Sequence, residues 1–328
     1  MPTLKDISKF TGVSVTQVSR ALGGYSDVSR QTREKVLQAV KVLGYHPNPM
    51  ARGLRTGRSG IVAMVLPKDS DPSTQELLFE MVAGLSLEFA KRSLKLILHV
   101  SSTEGAESYQ ELRDWGGVDG FVVLGPGPND ERIAFLNQHE IPFVVHGRDS
   151  SQTHPFVDVD NPEIGRALAE QAIASGAGSV LLINGPEHRS FAIDRNRTCV
   201  ARLKEAGIKT QSHFGPMTRE RGRSETLAAL ASDTPPELVI AGNTMVVAGI
   251  YDAANEQGIA LGKDLTVLVH DDCLKGYVCS DFVPPPMGTR SALSDAWQEL
   301  AVSLERSIAK GMDPKAGVIL KTEILGAA

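Results

Sequence analysis

The chain has 328 residues, enough for two domains or more, and its 41% hydrophobic and 22% charged residues are the balance of a folded globular protein. No apolar run approaches the ~20 residues of a membrane span, and the N-terminus lacks the apolar segment of a signal peptide, so we expect a cytoplasmic protein without a membrane partner. Three cysteines without a CxxC pair support neither a disulfide framework nor a zinc site.

Charge is divided unevenly along the chain. Residues 1–58 hold ten Lys or Arg and three acidic residues, a net charge of +7, whereas the remainder holds 24 basic and 36 acidic residues, a net charge of −12. A basic module on an acidic body is expected of a protein whose N-terminal part binds phosphates. A solvated helical face would carry the same charges, so charge alone leaves both interpretations open.

Two short helices are predicted at the N-terminus. The first runs from Leu4 to about Phe10, with Thr3 as its N-cap and Phe10 on its apolar face. Gly12 can adopt the positive φ of a tight turn, and Ser14 can cap the second helix. Two short helices joined by such a turn form a helix-turn-helix.

A third helix follows in the same segment. The second helix ends near Leu22, and the third begins near Ser29, whose hydroxyl can cap it, and ends at Gly44. Its core face is predicted to be Val36, Leu37, Val40 and Leu43.

The N-terminal part of the second helix carries side chains suited to reading DNA. A helix laid in the major groove presents its first residues to base edges. Val15 can contact a thymine methyl group, and Thr16 or Gln17 can pair with base edges.

The chain resembles the lactose-repressor (LacI/GalR) family in the runs DISKFTGVSVTQVSRAL and VSRQTREKVLQAVKVLGYHPNPMARGLRTGRS, and the resemblance continues nearly to the C-terminus. It implies a multi-domain protein, with an all-α helix-turn-helix head and an α/β periplasmic-binding-protein-like body of two doubly wound lobes. The implied boundaries are 1–46 for the DNA-binding domain, 47–59 for the hinge helix and linker, and 60–328 for the body, with an N-lobe of about 60–159 and 290–312 and a C-lobe of about 161–288 and 315–328.

The resemblance also implies how the head meets DNA. The counterpart of Arg20 reads a base edge, and Ser14 and Ser19 match positions that hold phosphates. Gln17 stands where most members have Thr, and whether it reads a base or contacts a phosphate stays open. The residues expected at the DNA are Thr3, Ser14, Val15, Thr16, Gln17, Ser19, Arg20, Asn48, Ala51, Leu54 and Arg55.

The segment between head and body is predicted to fold conditionally. Pro49 suits the first turn of a short helix capped by Asn48, and Gly53 makes that helix marginal, so it can fold when two copies meet on DNA. Leu54 matches the family's leucine lever, which inserts into the minor groove, and the arginines on either side of it fit that use. The alternative is that Leu54 packs on the body.

Buried apolar runs alternate with helices from Gly60 onward, which predicts parallel, doubly wound sheets. The series restarts near residue 160, so two lobes are expected with a cleft at the carboxyl ends of the strands, where open α/β sheets bind ligands. The predicted strands are 61–66, 94–98, 120–124, 142–145, 180–183, 238–240 and 265–269, and the predicted helices are 77–90, 162–175 and 292–308.

Polar residues after these strands are the candidate effector site. By family correspondence Arg197, Asn243 and Asp271 match positions that commonly hold the effector, and a set of Arg, Asp and Asn side chains suits a neutral polyol. With Arg148 these are the favoured residues. The full expected set is Asp69, Ser70, Asp71, His146, Arg148, Phe156, Asp160, Arg197, Asn243 and Asp271.

Other polar residues near the strand ends have plainer interpretations. Arg195 and Asp272 could equally form structural ion pairs, and Asp158 is more typical of a structural hydrogen-bonding residue. His146 and His270 are more typical of satisfied histidines at strand ends than of ligands.

The nature of the effector is less sharply indicated. Ser73 and Thr74 replace an aromatic pair found in many relatives, and Thr244 replaces an Asp. The stretches HGRDSSQTHPFVDVDN and PPPMGTRS are similar to those of sugar- and glycoside-sensing members, with Phe156 as a stacking residue. The expected function is therefore a repressor of a carbohydrate-utilisation operon; a purine co-repressor or a sugar-transport protein are the alternatives.

No catalytic motif is found. The Gly125–Pro128 run is not a dinucleotide fingerprint, and no Ser/His/Asp set follows a nucleophile elbow, so we expect no enzyme, no cofactor and no metal. The expected partners are double-stranded operator DNA, a small effector and a second copy of the chain, because one head makes too few base contacts for specificity. The absence of a heptad extension after the body disfavours a tetramer.

Overall fold

The computed structural model describes residues 2–45, 58–68, 75–102, 105–149 and 153–326. The chain forms two compact units, residues 1–59 and 60–328, called here the head and the body. The described part of the head folds into the helices α1 (Leu4–Thr11), α2 (Val15–Leu22) and α3 (Arg30–Leu43), which form the expected helix-turn-helix and a supporting third helix.

Local hydrogen bonds fix the ends of the head's helices. The backbone N–H and the hydroxyl of Thr3 both donate to the Asp6 carboxylate, at 2.8 and 2.7 Å, and these bonds lower the pKa of Asp6. The Ser14 hydroxyl accepts a hydrogen bond from the Gln17 backbone N–H at 3.3 Å. Gly12 has a φ of +70°, the left-handed conformation that favours glycine.

The core of the head differs from the prediction at two positions. Phe10 is 57% exposed, whereas Thr11 is buried and its hydroxyl donates to the Ile7 carbonyl, because Thr11 lies one turn after Ile7 on the same face. Leu37 is 46% exposed, since it lies about 100° around the helix from the buried Val36. The buried apolar residues of the head are Ile7, Val18, Ala21, Val36 and Ala39.

The body alternates strands and helices along the chain. Its strands are β1 (Ile61–Pro67), β2 (Lys95–Ser101), β3 (Gly120–Leu124), β4 (Phe143–His146), β5 (Phe156–Val159), β6 (Ser179–Ile183), β7 (Lys209–His213), β8 (Leu238–Ala241), β9 (Thr266–Asp271), β10 (Met287–Arg290), β11 (Gly317–Leu320) and β12 (Glu323–Leu325). Its helices are α4 (Gln75–Lys91), α5 (Glu107–Trp115), α6 (Glu131–Gln138), α7 (Asn161–Ala174), α8 (Ser190–Glu205), α9 (Arg219–Leu230), α10 (Thr244–Gln257) and α11 (Asp295–Lys310).

The first lobe is built on a parallel sheet in the order β11-β5-β4-β3-β1-β2. Alternate side chains of β1 enter two different cores, with Val62 and Met64 packing on α4 and α11 and Ala63 and Val65 packing on α5 and α6. Both faces of the strand are therefore buried, which explains why its sequence is apolar throughout.

The second lobe repeats this plan in the order β12-β10-β9-β8-β6-β7, with β12 alone antiparallel. Val180 and Leu182 face α7 and α8, whereas Leu181 and Ile183 face α9 and α10. The two doubly wound lobes confirm the predicted fold class of the body.

The chain passes between the lobes three times, after β5, after β10 and after β11. The last passage corrects the predicted division, which placed 315–328 in the second lobe. Instead β11 pairs with β5 in the first sheet, and only β12 reaches the second. Pairing of β11 covers the edge of β5. A Cβ at Gly317 would lie 2.3 Å from the Phe156 ring, so a larger residue there would require the ring to shift. Among the described residues, no helix is long and apolar enough to cross a membrane.

Candidate DNA-binding surface and effector site

The start of α2 presents the side chains that the sequence nominated for reading DNA. Val15, Thr16 and Gln17 are exposed, whereas Val18, one position later, is completely buried against the other two helices. The Ser14 hydroxyl in front of them is occupied as the helix cap. The head therefore offers a short exposed row on a helix whose opposite face is anchored in the core.

Arg20 is held in place by its neighbours on the following loop. Its guanidinium lies 2.5 Å from the Asp27 carboxylate, with Nη2 and Oδ2 in contact, and 4.9 Å from the centroid of the Tyr25 ring. Exposed pairs of this kind contribute little to stability, about 0–1 kcal/mol. Their effect here is to orient the Arg20 guanidinium, which the sequence nominated for a base contact.

Several predicted site residues lie outside the described part of the chain. These are Asn48, Ala51, Leu54 and Arg55 near the hinge and Asp69, Ser70 and Asp71 after β1. Of the other predicted DNA contacts, Thr3 caps α1 and Ser19 is half-buried on α2.

In the body, a chain of hydrogen bonds joins polar side chains where the first passage links the lobes. Arg148 Nε donates to Asp158 Oδ2 at 2.8 Å, and Arg148 Nη2 donates to the Val159 carbonyl at 3.2 Å. Asp158 Oδ1 accepts from Asn161 Nδ2 at 3.0 Å, and Asn161 Oδ1 accepts from Arg195 Nε at 2.7 Å. This series of hydrogen bonds thus runs from the end of β4 in the first lobe to α8 in the second.

A second set of polar groups approaches the same place from β9. Asp272 Oδ1 lies 3.4 Å from His270 Nε2, and His270 Nδ1 lies 2.9 Å from the Thr289 hydroxyl. The charges of Asp272 and Asp158 both act on the pKa values of Arg195 and of His146, so the two sets of polar groups influence each other electrostatically. We call this set the central cluster; its members are His146, Arg148, Asp158, Asn161, Arg195, His270 and Asp272.

Burial and neighbouring groups shift the pKa values of four members of the central cluster. It lowers the pKa values of His146 and His270, which favours neutral imidazoles, and it also lowers the pKa of Arg195. Burial alone would raise the pKa of Asp272, but the neighbouring His270 side chain and the charge of Arg195 outweigh it, and that pKa lies below its usual value. Two guanidinium groups are therefore balanced by two carboxylates, with neutral imidazoles beside them.

Phe156 lies beside this cluster, in β5. The Arg148 guanidinium carbon is 5.6 Å from the centroid of the Phe156 ring, and the same ring covers Gly317 of β11. The ring that the sequence nominated for stacking on a ligand thus stacks on Arg148, a cation–π contact that fixes the position of the guanidinium.

Four other predicted effector residues have local partners outside the cluster. Asp160 is exposed and caps α7 through the Glu163 backbone N–H, at 3.1 Å. Asn243 is buried and caps α10 through the Val246 backbone N–H, at 3.0 Å.

The other two form ion pairs. Arg197 is exposed and pairs with Asp194 at 2.7 Å, and Asp271 is buried and pairs with Arg290 at 2.9 Å. The structure therefore joins His146 and Arg148 of the predicted set with three residues that the sequence favoured less, namely Asp158, Arg195 and Asp272, and with His270 and Asn161. Strand alternation could have indicated this, because His270 and Asp272 share a face that Asp271 does not.

Comparison with known proteins matches both units. Residues 3–48 match the family model of bacterial regulatory proteins of the lacI family, and residues 59–271 match that of periplasmic binding proteins and the sugar binding domain of the LacI family. The chain is 36% identical to the HTH-type transcriptional regulator AglR of Rhizobium meliloti (strain 1021) over 307 residues, covering 92% of this chain and 86% of that protein. It is 31% identical to the HTH-type transcriptional regulator RafR of Escherichia coli over 276 residues, covering 83% and 82%.

A solved structure agrees over almost the whole length. The crystal structure of the lac repressor dimer bound to operator and the anti-inducer ONPF superposes with a TM-score of 0.82 at 20% identity, covering 99% of this chain and 98% of that one. At this identity the likeness concerns the fold alone. With the two family matches and the two relatives, the chain belongs to the LacI family of bacterial regulatory proteins and is a DNA-binding transcriptional regulator.

Proposed function

We propose that this regulator acts as a dimer on a palindromic operator and that a neutral sugar or glycoside bound at the central cluster controls it. The observation that carries the proposal is the balance of buried charge at the junction of the lobes. Arg148 pairs with Asp158, and Arg195 lies in the field of Asp272 and Asp158. An ionised ligand would add an uncompensated charge to this largely buried site, whereas hydroxyl groups can both donate to carboxylates and accept from guanidinium groups.

The position of the cluster supports an allosteric role. Its members come from both lobes and flank the first passage of the chain between them. A ligand that contacts both lobes favours the lobe arrangement in which its contacts are complete. That arrangement sets the spacing of the two hinges in a dimer, and so the fit of the two heads to one operator; the sign of the effect follows from which arrangement fits the DNA.

Differential scanning fluorimetry of the full chain with a panel of neutral mono- and disaccharides and their phosphate esters tests the effector class. A neutral ligand that binds the folded protein raises the midpoint in proportion to the logarithm of its concentration. We expect a neutral glycoside to do so and to change operator affinity, measured by fluorescence anisotropy of a labelled duplex. Stabilisation by the phosphate esters alone would contradict the assigned class.

Matched arginine variants test the assigned site. Arg195 faces the central cluster, whereas Arg197, two residues later on the same helix, is exposed and paired with Asp194. We expect Arg195→Ala to abolish the ligand-induced midpoint shift and Arg197→Ala to retain it. The reverse result would indicate that the effector binds at Arg197, Asn243 and Asp271, the residues that the family correspondence favours.

A further inference from the structure

The lobes also touch at a second place, beside the central cluster. A loop of the first lobe, residues 125–127 after β3, meets residues 188–190 at the start of α8 in the second lobe. Arg189 Nη1 donates to the Gly125 carbonyl at 2.5 Å, and the Ser190 backbone N–H donates to the Pro126 carbonyl at 2.9 Å. A Cβ at Gly127 would lie 2.6 Å from the His188 carbonyl oxygen, so the two backbones are in direct contact.

The loop of the first lobe is held in shape by its own lobe. Asp130 and Arg132 form a buried pair, in which Arg132 Nε donates to Asp130 Oδ1 at 2.8 Å. Asp130 Oδ2 accepts from the Gly127 backbone N–H at 3.1 Å, and Arg132 Nη2 donates to the Leu124 carbonyl at 3.2 Å. The receiving carbonyls therefore keep their positions when the second lobe moves away.

We propose that residues 125–127 and 188–190 form an interlobe latch, which holds the lobes in the relative position of this structure and sets the energy needed to move them apart. The latch adjoins the central cluster, since a Cβ at Gly147, between His146 and Arg148, would lie 2.8 Å from the Pro126 ring. It needs no ligand, because all its donors and acceptors belong to the chain. A ligand at the cluster and the latch thus act on the same movement.

A second interlobe hydrogen bond is of a different kind. The Lys275 backbone N–H donates to Glu80 Oε1 at 3.0 Å, through an exposed carboxylate on a rotatable side chain. Such a bond can follow a movement of the lobes by a change of the Glu80 rotamer, whereas the latch includes a bond between two backbone groups, from the Ser190 N–H to the Pro126 carbonyl, which no rotamer change can preserve. The latch is therefore the contact that a small change in lobe position breaks.

Gly127 allows the latch to be tested by a single methyl group. Its φ lies outside the left-handed region, so alanine fits the backbone, but the added Cβ would overlap the His188 carbonyl, and separation of the lobes relieves that overlap. Gly105 is the matched control, because a Cβ there would meet only the Glu131 carboxylate, at 3.8 Å. Arg189→Gln breaks the latch from the second lobe, because the shorter glutamine side chain cannot reach the Gly125 carbonyl.

The experiment measures the distance between the lobes in the full chain without ligand. Spin labels are placed at the exposed positions Gln138 and Lys204, one on each lobe, as cysteine variants in a Cys273→Ser background, since Cys199 and Cys279 are buried. We expect Gly127→Ala and Arg189→Gln each to move the distance distribution measured by double electron–electron resonance by about 2 Å or more. We expect Gly105→Ala to match the unsubstituted chain.

The double variant checks that the two substitutions act on one contact. We expect it to shift the distance no further than the larger single shift, because a contact can be broken only once. A Gly127→Ala distribution that superposes on that of Gly105→Ala would overturn the latch. So would equal shifts in both, which would indicate a general loosening of the body.

The effect on DNA rests on the proposed function and is measured separately. Both latch variants are expected to change operator affinity in the same direction, while Gly105→Ala leaves it unchanged. If the lobes separate and operator affinity stays constant, the latch stands and the proposed coupling between lobes and heads is wrong. If the distances do not change, the latch is wrong whatever the operator affinity does.

Discussion

The head and the body of this regulator are specified over different ranges of sequence. In the head, each helix begins with a hydrogen bond between residues three apart, as in the Ser14–Gln17 and Ser29–Thr32 caps. In the body, decisive contacts join residues far apart, as in the bond from Gln171 to the Gly288 carbonyl across 117 positions. A sequence pattern can specify the first kind of contact, whereas the second exists only after the sheets have formed.

The same contrast separates the two functional surfaces. The candidate DNA-reading row, Val15 to Gln17, lies exposed on one helix, so its side chains can change without altering the core behind them. The central cluster is largely buried and takes its members from several elements, so a change there affects folding and binding together. Seven substitutions in four sets test this contrast, ordered here by the size of the expected effect.

Removal of one charge from the central cluster should give the largest loss of stability. Asp158→Asn leaves Arg148 without its partner in a largely buried site, which typically costs about 3–5 kcal/mol of unfolding free energy. Urea denaturation followed by fluorescence of the body's tryptophans measures it. Asp194→Asn, which breaks the exposed pair with Arg197, is the control and should cost at most about 1 kcal/mol. Equal losses would show that the cluster is not a buried charge network.

The second-largest loss of stability is expected from a substitution in the core of the head. Val18 is fully buried, and Val18→Ala should lower the unfolding free energy of the head by about 1–3 kcal/mol, as lost burial and a new cavity require. Val15→Ala, at a position 39% exposed, should change stability by less than about 0.5 kcal/mol and reduce operator affinity. Circular dichroism and operator titration of both variants measure this separation, which equal destabilisation would contradict.

Gln17 can be assigned as a base reader or a phosphate contact by its effect on discrimination. Because it lies exposed at the start of α2, where a recognition helix faces base edges, we expect a base contact. Gln17→Ala should then cost about 1–3 kcal/mol on the cognate operator and relax the preference at one base pair. Titration against single-base-pair variants measures this. Uniform weakening on all sequences would instead indicate a phosphate contact.

The smallest effect concerns the pH dependence of the body's stability. Burial lowers the pKa of His270, so below pH of about 6.5 the unfolded chain takes up a proton that the folded chain does not. The unfolding free energy therefore falls as the pH falls, by at most about 1.4 kcal/mol per pH unit for each such histidine. The described residues 2–45 of the head contain no histidine, whereas His146 and His270 both lie in the body.

His270→Gln should flatten this pH dependence while keeping an acceptor for the Thr289 hydroxyl. Urea denaturation at several values between about pH 7 and pH 5 measures the slope. His146→Gln should act in the same direction, since burial lowers the pKa of that imidazole as well. Slopes unchanged in both variants would contradict neutral buried imidazoles at the central cluster.

The strands missed from the sequence share a physical cause. Most of the predicted runs were apolar segments of strands buried on both faces, such as β1 and β6. The edge strand β7 reads KTQSH and has no completely buried residue, so no hydrophobic pattern marks it. The strand β11 alternates exposed and half-buried positions, and its pairing with β5 links segments more than 150 residues apart.

The sequence by itself determined the helix-turn-helix, its caps, the exposed reading row and the two-lobed α/β class, because these depend on spacing and on residues within one turn of each other. The tertiary structure decided which polar residues meet. Arg195 rather than Arg197, and Asp272 rather than Asp271, enter the central cluster, since side chains two residues apart on a helix, or one residue apart on a strand, point in nearly opposite directions. The tertiary structure also brings together the two segments of the latch, residues 125–127 and 188–190, which meet only when both lobes are folded.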